Sequence, residues 1–431
     1  MEYFDKIHFE EKKQCFYARA LAYVKKKLYL CRLYCMYAQE EMQEVIEYII
    51  QFLLYGNELG AQQVGYTSDE SLWPNYRVVV VPNGHMGKQI VLPTEADLAL
   101  RIDKQGNTHI VYTDVIYNTF FYISRAEELL VSERDEHGRF LAKHSMLGQK
   151  NRLMIPLIDE YSRAILKLLD LSLPESEFSH IYLTHDVDTI AHYRHLRGAL
   201  GGLMRGQVKQ VLAARRDIHN DPAYTFSWLM AQDKKVEGAE YIYFIKDTPG
   251  KGKDYPQYDL QGIDFAGLKR QLEDSGARLG WHSSCYSIAS SPHRLIASSP
   301  DSLKLHRSHY LSCSIEKMQQ LVDMGVTDDY TMMFADQAGF RLQTTRAVRW
   351  INPMNWHLTE LTLHPLTVMD CTLSHAHYMG LSEDEAYFEC QRLFEKVHQN
   401  AGEVVLLWHN TSIDDETYHR NLYEKLIELL R

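Results

Sequence analysis

The sequence lacks the cysteine content of a disulfide-bonded secreted domain. Its 431 residues include only seven cysteines, an odd number with no paired framework. Cys31 and Cys35 lie one helical turn apart, but no second pair at zinc-ribbon spacing follows them. We therefore predict reduced thiols in a protein core, and neither a disulfide scaffold nor a zinc ribbon.

Basic charge is also scarce. The chain has 46 lysines and arginines against 57 acidic residues, which gives a formal net charge of −11. A general nucleic-acid binder needs a basic face for the phosphates. The composition therefore excludes nucleic acid as a general partner.

One segment departs from this acidic balance. Residues 191–220 hold six basic residues against one acid, Asp217. Such an excess is compatible with contact to an anionic carrier, such as a pyrophosphate-linked sugar. The simpler interpretation is a solvated helical insertion without a ligand. The six are Arg194, Arg197, Arg205, Lys209, Arg215 and Arg216.

Long hydrophobic runs are absent as well. The opening, MEYFDKIHFEEKKQ, mixes acids and bases where a signal peptide has an uninterrupted apolar core. The most apolar later stretch, VIEYIIQFLLYG, is interrupted by Glu47 and Gln51 and is too short to span a bilayer. We expect a cytoplasmic protein with no membrane span.

The first part of the chain has a mixed pattern, and a length of 431 residues favours two domains. The polar segment SLPESEFSH at 172–180 is typical of a linker. We therefore predict an α+β accessory domain over residues 1–172. Its predicted elements are helices over 8–55, 115–130 and 155–170, a strand over 77–81, and a hairpin formed by 98–102 and 108–112.

Beyond residue 178, short apolar strands alternate with amphipathic helical stretches. This alternation predicts an α/β fold over 178–431, with a largely parallel sheet or barrel. Active-site residues of such barrels lie at the carboxyl ends of the strands. The strand ends here are His185-Asp186, His282, Asp370 and His409-Asn410.

An acid pair follows the first of these strands. Asp186 and Asp188 lie two residues apart, so in an extended strand both side chains point to one face. Two carboxylates on one face repel each other unless a cation or a proton separates them. The pair therefore suggests one metal ligand and one base, and the alternative is a solvated loop with two acids.

Histidines follow two other strands. His282 lies in ARLGWHSSCYS and His309 in HRSHYLS. A lone histidine is more often a hydrogen-bonded core or surface residue, but two of them with an aspartate form a sound set for zinc or a similar cation. We predict Asp188, His282 and His309 as the ligands, with His306 as the second choice for His309.

Two further side chains are candidates for catalysis. His409 stands at the tip of the last apolar strand and can face the same centre, although it can equally pack beside Trp408. Arg341 lies in a Gly-Phe-Arg stretch, where it can orient Asp186 through a paired hydrogen bond or be an ordinary surface arginine.

Taken together, these segments resemble the polysaccharide deacetylase superfamily (NodB-like, carbohydrate esterase 4 type). The motifs, in the family's order, are THDVD at 184–188, GWHS at 280–283, GFR at 339–341 and LLWHN at 406–410. A bacterial subgroup of this superfamily carries an extra N-terminal domain, and the chain resembles this subgroup at HRSHYL, DDYTMMFADQAGFR and PLTVMD. The segments FYISRAEE and DEHGRF resemble the typical sequence of that extra domain. The resemblance covers roughly residues 95–431.

The resemblance implies a distorted (β/α) barrel that removes acetyl groups, N-acetyl first, from a carbohydrate. Asp186 would be the base, Arg341 its orienting partner, and His409 the acid; a divalent metal, zinc first, would activate water as the nucleophile.

One departure favours a different function. The second motif of the family has histidines four residues apart, but the later position here is Tyr286. This departure favours a non-catalytic, deacetylase-like scaffold or sugar-binding protein. A second alternative, a cyclic imide or ureide amidohydrolase on the same barrel, stays open because the same metal and base would serve either reaction.

Overall fold

The computed structural model describes residues 40–246, 254, 258–285, 304–413 and 417–431. The first predicted helix is helical over residues 40–53, which form α1, and its earlier part lies outside the described residues. Its apolar stripe is buried at Val45, Ile49 and Leu53. The stripe is therefore a core face, because apolar residues at helical spacing bury one side of the helix.

A four-stranded sheet follows α1, with strand order β1-β2-β4-β3. Only β3 and β4 are antiparallel, and they form the predicted hairpin. The first hairpin strand begins later than predicted, because Thr94 and Asp97 form a capping box that starts a short helix there. The elements are α2 (Glu58–Ala61), β1 (Val64–Tyr66), β2 (Val78–Val80), α3 (Glu95–Leu98), β3 (Ile102–Gln105) and β4 (Thr108–Val111).

Four helices complete this part of the chain, and those predicted over 115–130 and 155–170 are confirmed. Every residue of the first is buried, and Phe120 on it stacks on Trp356 from the second part, with ring centroids 4.3 Å apart. The two parts therefore share apolar packing. The helices are α4 (Val115–Ile123), α5 (Glu127–Leu130), α6 (Met146–Gln149) and α7 (Leu157–Leu168).

The second part contains a nine-stranded sheet with order β10-β11-β9-β8-β7-β6-β5-β13-β12. All neighbouring strands are parallel except β10 and β11. The predicted α/β class is thereby confirmed. The strands are β5 (His180–Val187), β6 (Glu240–Lys246), β7 (Arg278–Ser283), β8 (Leu305–Ser308), β9 (Asp328–Met332), β10 (Val348–Asn352), β11 (His357–Pro365), β12 (Val368–Met369) and β13 (Glu403–Leu407).

The sheet is curled, and the passage from β11 to β12 shows how. Pro365 at the end of β11 pairs with Met332 of β9, and Val368 in β12 pairs with Leu406 of β13. The short connection between β11 and β12 therefore brings β9 and β13, which are far apart in the strand order, close together. The carboxyl ends of the parallel strands consequently surround one mouth.

Helices flank this sheet, and α8 with α9 forms a hairpin directly after β5. Within the described ranges, every helix is too short or too polar to cross a bilayer. The cysteines at 285, 313, 371 and 390 are free thiols. The helices are α8 (Leu196–Met204), α9 (Val208–Arg216), α10 (Phe226–Asp233), α11 (Ile263–Asp274), α12 (Ile315–Asp323), α13 (Asp370–Ser374), α14 (Glu383–Gln399) and α15 (His419–Leu430).

Buried ion pairs join the two parts. Asp159 on α7 accepts hydrogen bonds from Thr344, Thr345 and Arg346, which lie between β9 and β10. Buried charges are stable only when they are paired and hydrogen-bonded. The first part is therefore tied to the second by polar contacts as well as by apolar ones.

Candidate functional site

The strand register places several polar side chains at one level of the mouth. Lys246 of β6 pairs with His282 of β7, which pairs with Arg307 of β8. Val187 pairs with Ile245, so Asp188, the next residue, lies beside Lys246. Parallel pairing thus brings together residues that are up to about 120 positions apart in the chain.

The three predicted metal ligands lie close together. The ligating atoms of Asp188, His282 and His309 are all within 4.8 Å of one another. Asp188 Oδ1 is 3.6 Å from His282 Nε2 and 3.4 Å from His309 Nε2. One carboxylate and two imidazoles at such distances could hold a divalent metal ion.

Both histidines are oriented through their Nδ1 atoms. His282 Nδ1 lies 3.1 Å from the carbonyl oxygen of Arg307, which can only accept, so Nδ1 carries the proton. His309 Nδ1 lies 2.5 Å from Oδ1 of Asp254. Such outer partners orient metal-ligating histidines and leave the Nε2 lone pairs facing the ion.

The Nε2 atom of His282 is buried and has no hydrogen-bond partner among the described residues. Burial lowers the pKa of His282 well below its usual value, and the Asp188 carboxylate opposes this only in part. The imidazole is therefore neutral, which is the form that binds metals. A buried, unpaired acceptor beside a carboxylate fits a site for a cation.

Lys246 shares this space. Its fully buried ammonium group lies 2.7 Å from Asp188 Oδ1 and 2.9 Å from His309 Nε2. A metal ion bound by the same two atoms would have to displace it. Lys246 ends an apolar strand as a solvated lysine would, so its position in the sequence does not indicate this role.

The two aspartates of the acid pair have different environments. Burial works to raise the pKa of Asp188, but His309, Lys246 and His282 outweigh it, and this pKa lies well below the usual range. Burial also raises the pKa of Asp186, and here Arg307 and His409 do not cancel it. Asp186 is therefore the more basic of the two carboxylates.

Asp186 is oriented by Arg307. The Nη1 group of the fully buried Arg307 donates to Asp186 Oδ1 at 3.1 Å and to the hydroxyl of Thr184 at 2.7 Å. Asp186 Oδ2 lies 3.6 Å from His282 Nε2. The alternation of strand residues could have identified Arg307, since it precedes His309 by two positions.

The structure does not bring Arg341 to Asp186, which corrects the predicted pairing. The Arg341 guanidinium donates instead to Glu128 at 2.7 Å and to the carbonyl oxygen of Met333 at 3.0 Å. Glu128 lies on α5 in the first part of the chain and is buried, so it needs a cationic partner. Arg307 takes the position beside Asp186 that was predicted for Arg341.

His409 follows β13 and lies on the same side of the sheet. Its Nδ1 is 2.8 Å from Asp370 Oδ1, and its backbone N–H donates to Asp370 Oδ2 at 2.8 Å. Burial opposes the charged form, but the Asp370 carboxylate outweighs it and raises the pKa of His409 well above its usual value. His409 is therefore a protonated donor near neutral pH.

The second-choice ligand, His306, points away from this site. Its Nδ1 lies 2.6 Å from Asp329 and its Nε2 lies 2.8 Å from the hydroxyl of Ser283. His309, the first choice, therefore lies beside Asp188 and His282, whereas His306 has other partners. Tyr286, which replaces a family histidine, lies outside the described residues.

Two other groups within the described part of the chain have metal-ligating atoms close together. They are Asp254, Cys285 and His309, and Asp370, Cys371 and His409. The first shares His309 with the group above. In the second, the raised pKa of His409 favours a bound proton over a bound metal.

The loop that carries His309 is supported by the first part of the chain. Tyr310 and Leu311 adopt left-handed φ values of 59° and 56°, which non-glycine residues rarely do. The Tyr310 ring stacks between His309 and His137, with centroids 3.7 and 4.4 Å away. The guanidinium of Arg139 also donates to the Tyr310 carbonyl at 3.3 Å.

Comparisons with known proteins reach different parts of the chain. A family model described as "Family of unknown function (DUF7033)" matches residues 32–174. No curated protein matches the chain. A solved structure described as "Crystal structure of putative polysaccharide deacetylase from Mycobacterium smegmatis" is 12% identical, with a TM-score of 0.39, over 60% of this chain and 86% of that one.

Proposed function

We propose that the chain is a metal-dependent hydrolase that removes acetyl groups, N-acetyl first, from a carbohydrate, on a barrel of the polysaccharide deacetylase type. The observation that carries this proposal is the buried, unpaired Nε2 of His282, which faces two carboxylates of opposite pKa shift. Perturbed titratable groups at the carboxyl ends of parallel strands are typical of catalytic sites.

Asp188, His282 and His309 would hold the metal, zinc first. Two imidazoles and one carboxylate are a donor set that zinc prefers, and they leave room for further ligands. When bound, the ion supplies a Lewis acid that polarises a carbonyl and lowers the pKa of water. Asp254 is a positioning residue in this scheme, because it fixes the ring of His309.

Asp186 acts as the general base. Its raised pKa makes it a better proton acceptor than an exposed aspartate, and Arg307 holds it in place. It takes a proton from water as the oxygen attacks the acetyl carbonyl. Arg341 is a positioning residue in this scheme, since it donates to Glu128 and to the Met333 carbonyl just after the carboxyl end of β9.

His409 acts as the general acid. Its ring is protonated because of Asp370, and it donates a proton to the leaving nitrogen as the carbon–nitrogen bond breaks. The products are acetate and a deacetylated sugar. The predicted accessory part, residues 1–172, contributes to this chemistry by supporting the loop that carries His309.

A second candidate function is a scaffold without turnover. The observation that favours it is Lys246, whose ammonium group already contacts two of the three proposed ligands. A lysine can replace the charge of a cation but cannot supply an open coordination position. Such a protein would keep the fold and the polar side chains at the strand ends while lacking catalysis.

Metal content separates the two functions. We would purify the full chain, load it with zinc, and measure bound metal together with acetate release from acetylated sugars. The wild type should bind about one ion per chain, and His309→Ala should bind none. His357→Ala, which removes a half-exposed histidine away from the proposed ligands, is the matched control and should keep both properties. Absence of metal in the loaded wild type would favour the scaffold.

A further inference from the structure

The helical hairpin that follows β5 presents large apolar side chains to solvent. On α8 they occupy positions i, i+4, i+7 and i+8, which lie on one face of a helix. Patches of this kind mark surfaces that meet a partner or a membrane. The exposed fractions are 82% for Leu196, 60% for Leu200, 43% for Leu203, 82% for Met204, 46% for Val208 and 52% for Leu212.

The hairpin does not need these side chains for its own packing. Its small core consists of Tyr193, Val211 and Ala214, with Ala199 packed against it. Gly202 lets the two helices approach closely, because a Cβ there would lie 2.6 Å from Val211 and 2.8 Å from the Tyr193 ring. The larger aliphatic residues are left on the outside.

Positive charge surrounds this apolar face. Five basic residues of the hairpin are exposed, and the only acid in residues 191–220 is Asp217, whereas the whole chain has a net charge of −11. An apolar face flanked by lysine and arginine is the pattern by which helices bind the interface of anionic bilayers. The exposed basic residues are Arg197, Arg205, Lys209, Arg215 and Arg216.

The hairpin is fixed to the barrel. The guanidinium of Arg194 donates two hydrogen bonds to Asp264, both 2.7 Å long. Asp221, just after the hairpin, accepts the backbone N–H groups of His192 and Tyr193 at 2.7 and 2.8 Å, which joins the two ends of the hairpin segment. Because the hairpin starts just after Asp188, at the carboxyl end of β5, it lies on the same side of the sheet as the candidate site.

We propose that the α8–α9 hairpin docks on the surface of an anionic lipid bilayer. The apolar face enters the interface while the arginines and lysines contact lipid phosphates. The docking itself does not depend on the chemistry of the site. If the proposed function also holds, the substrate class is a carbohydrate carried on a membrane lipid, a step that rests on that function.

Vesicle flotation of the full chain tests the docking. We would compare vesicles of phosphatidylcholine alone with vesicles that also contain phosphatidylglycerol. The wild type should bind the anionic vesicles at least about tenfold more strongly, and salt should weaken this binding. The variant Leu200→Ser/Met204→Ser should lose most of the binding, and so should Arg197→Gln/Arg216→Gln.

Phe388→Ser is the matched control, since it removes another large exposed residue, 60% exposed, on helix α14. It should bind like the wild type. Equal binding to neutral and anionic vesicles, or an unchanged Leu200→Ser/Met204→Ser variant, would overturn the proposal. So would a concentration-dependent dimer of the wild type that this variant abolishes, because the face would then join two copies. Metal content and acetate release from soluble sugars, measured on the same variants, report on the proposed function separately.

Discussion

Two histidine clusters lie at the carboxyl ends of the parallel strands, and their hydrogen bonds give them different chemistry. In the first, His282 and His309 are held by Nδ1, so that both Nε2 atoms face Asp188. In the second, His409 is held by Asp370 and its pKa is raised. In the first cluster the Nε2 atoms are available to bind a cation, and in the second the His409 ring is protonated near neutral pH.

The difference lies in what each Nδ1 contacts and how well the ring is buried. A carbonyl oxygen fixes the neutral tautomer of His282, and full burial opposes its protonation. The buried carboxylate of Asp370 instead stabilises the imidazolium of His409. His282 near the end of β7 and His409 just after β13 thus acquire different chemistry from their Nδ1 partners.

The largest expected effect on catalysis comes from substitution of Asp186. Asp186→Asn should keep the bound metal but lower kcat by about 10²–10⁴-fold, because the amide cannot take a proton from water. Kinetics and elemental analysis on the same sample check this. Loss of the metal together with activity would instead make Asp186 a ligand and erase the contrast between the two aspartates.

Asp370→Asn should affect only the second cluster, in which Asp370 contacts His409. Without the carboxylate, the pKa of His409 falls, so the ring loses its proton at a lower pH. We expect kcat to drop by about 10²-fold, with the alkaline limb of its pH profile moved to lower pH. Metal content should be unchanged, and a shift of the acidic limb alone would contradict the assignment.

A third histidine, His364, provides a comparison outside the mouth. It lies 2.9 Å from Glu403 and 3.1 Å from Asp328, near the amino ends of β13 and β9. Burial works against its charged form, but the carboxylates raise its pKa from 6.5 to about 9.

Its contribution to stability should therefore be complete below pH 6.5 and disappear as the pH rises through about 9. Over that interval the wild type should lose about 2–3 kcal/mol of unfolding free energy that His364→Gln does not lose. Urea unfolding of both proteins at several pH values measures the difference. Equal pH dependence would mean that the pair is not charged.

Lys246→Met should have the smallest effect. Removal of the ammonium group from Asp188 and His309 frees two ligand atoms. We expect zinc affinity to rise by about tenfold, since the metal no longer displaces a buried cation. Competition with a chelator measures the affinity, and a weaker site would show that Lys246 assists the metal.

The sequence was informative about which side chains come together where their positions follow strand periodicity. Asp188, His282 and His309 each lie at or just after a strand end, and parallel strands bring such ends together. The α/β class was predictable for the same reason, because strand–helix alternation leaves few topologies.

Partners that depend on tertiary packing were not predictable. Arg307 rather than Arg341 contacts Asp186, because a long side chain reaches several carboxylates and packing selects one. Asp254 lies outside any regular strand, so no periodic pattern marks it. Lys246 stands at a strand end as a solvated lysine would, and only its neighbours in the folded sheet, such as His282, make it a buried residue.

The buried ions Arg125, Glu128 and Arg341 have an evolutionary consequence. Glu128 in the first part of the chain accepts from Arg125 and from Arg341 in the second. The Arg125–Glu128 pair lies within the first part, but a recombination event that joined the second part to a foreign partner would leave Arg341 buried without its carboxylate, at a cost of several kcal/mol. The second part can therefore diversify only beside a first part that supplies this carboxylate, and not as an independent module.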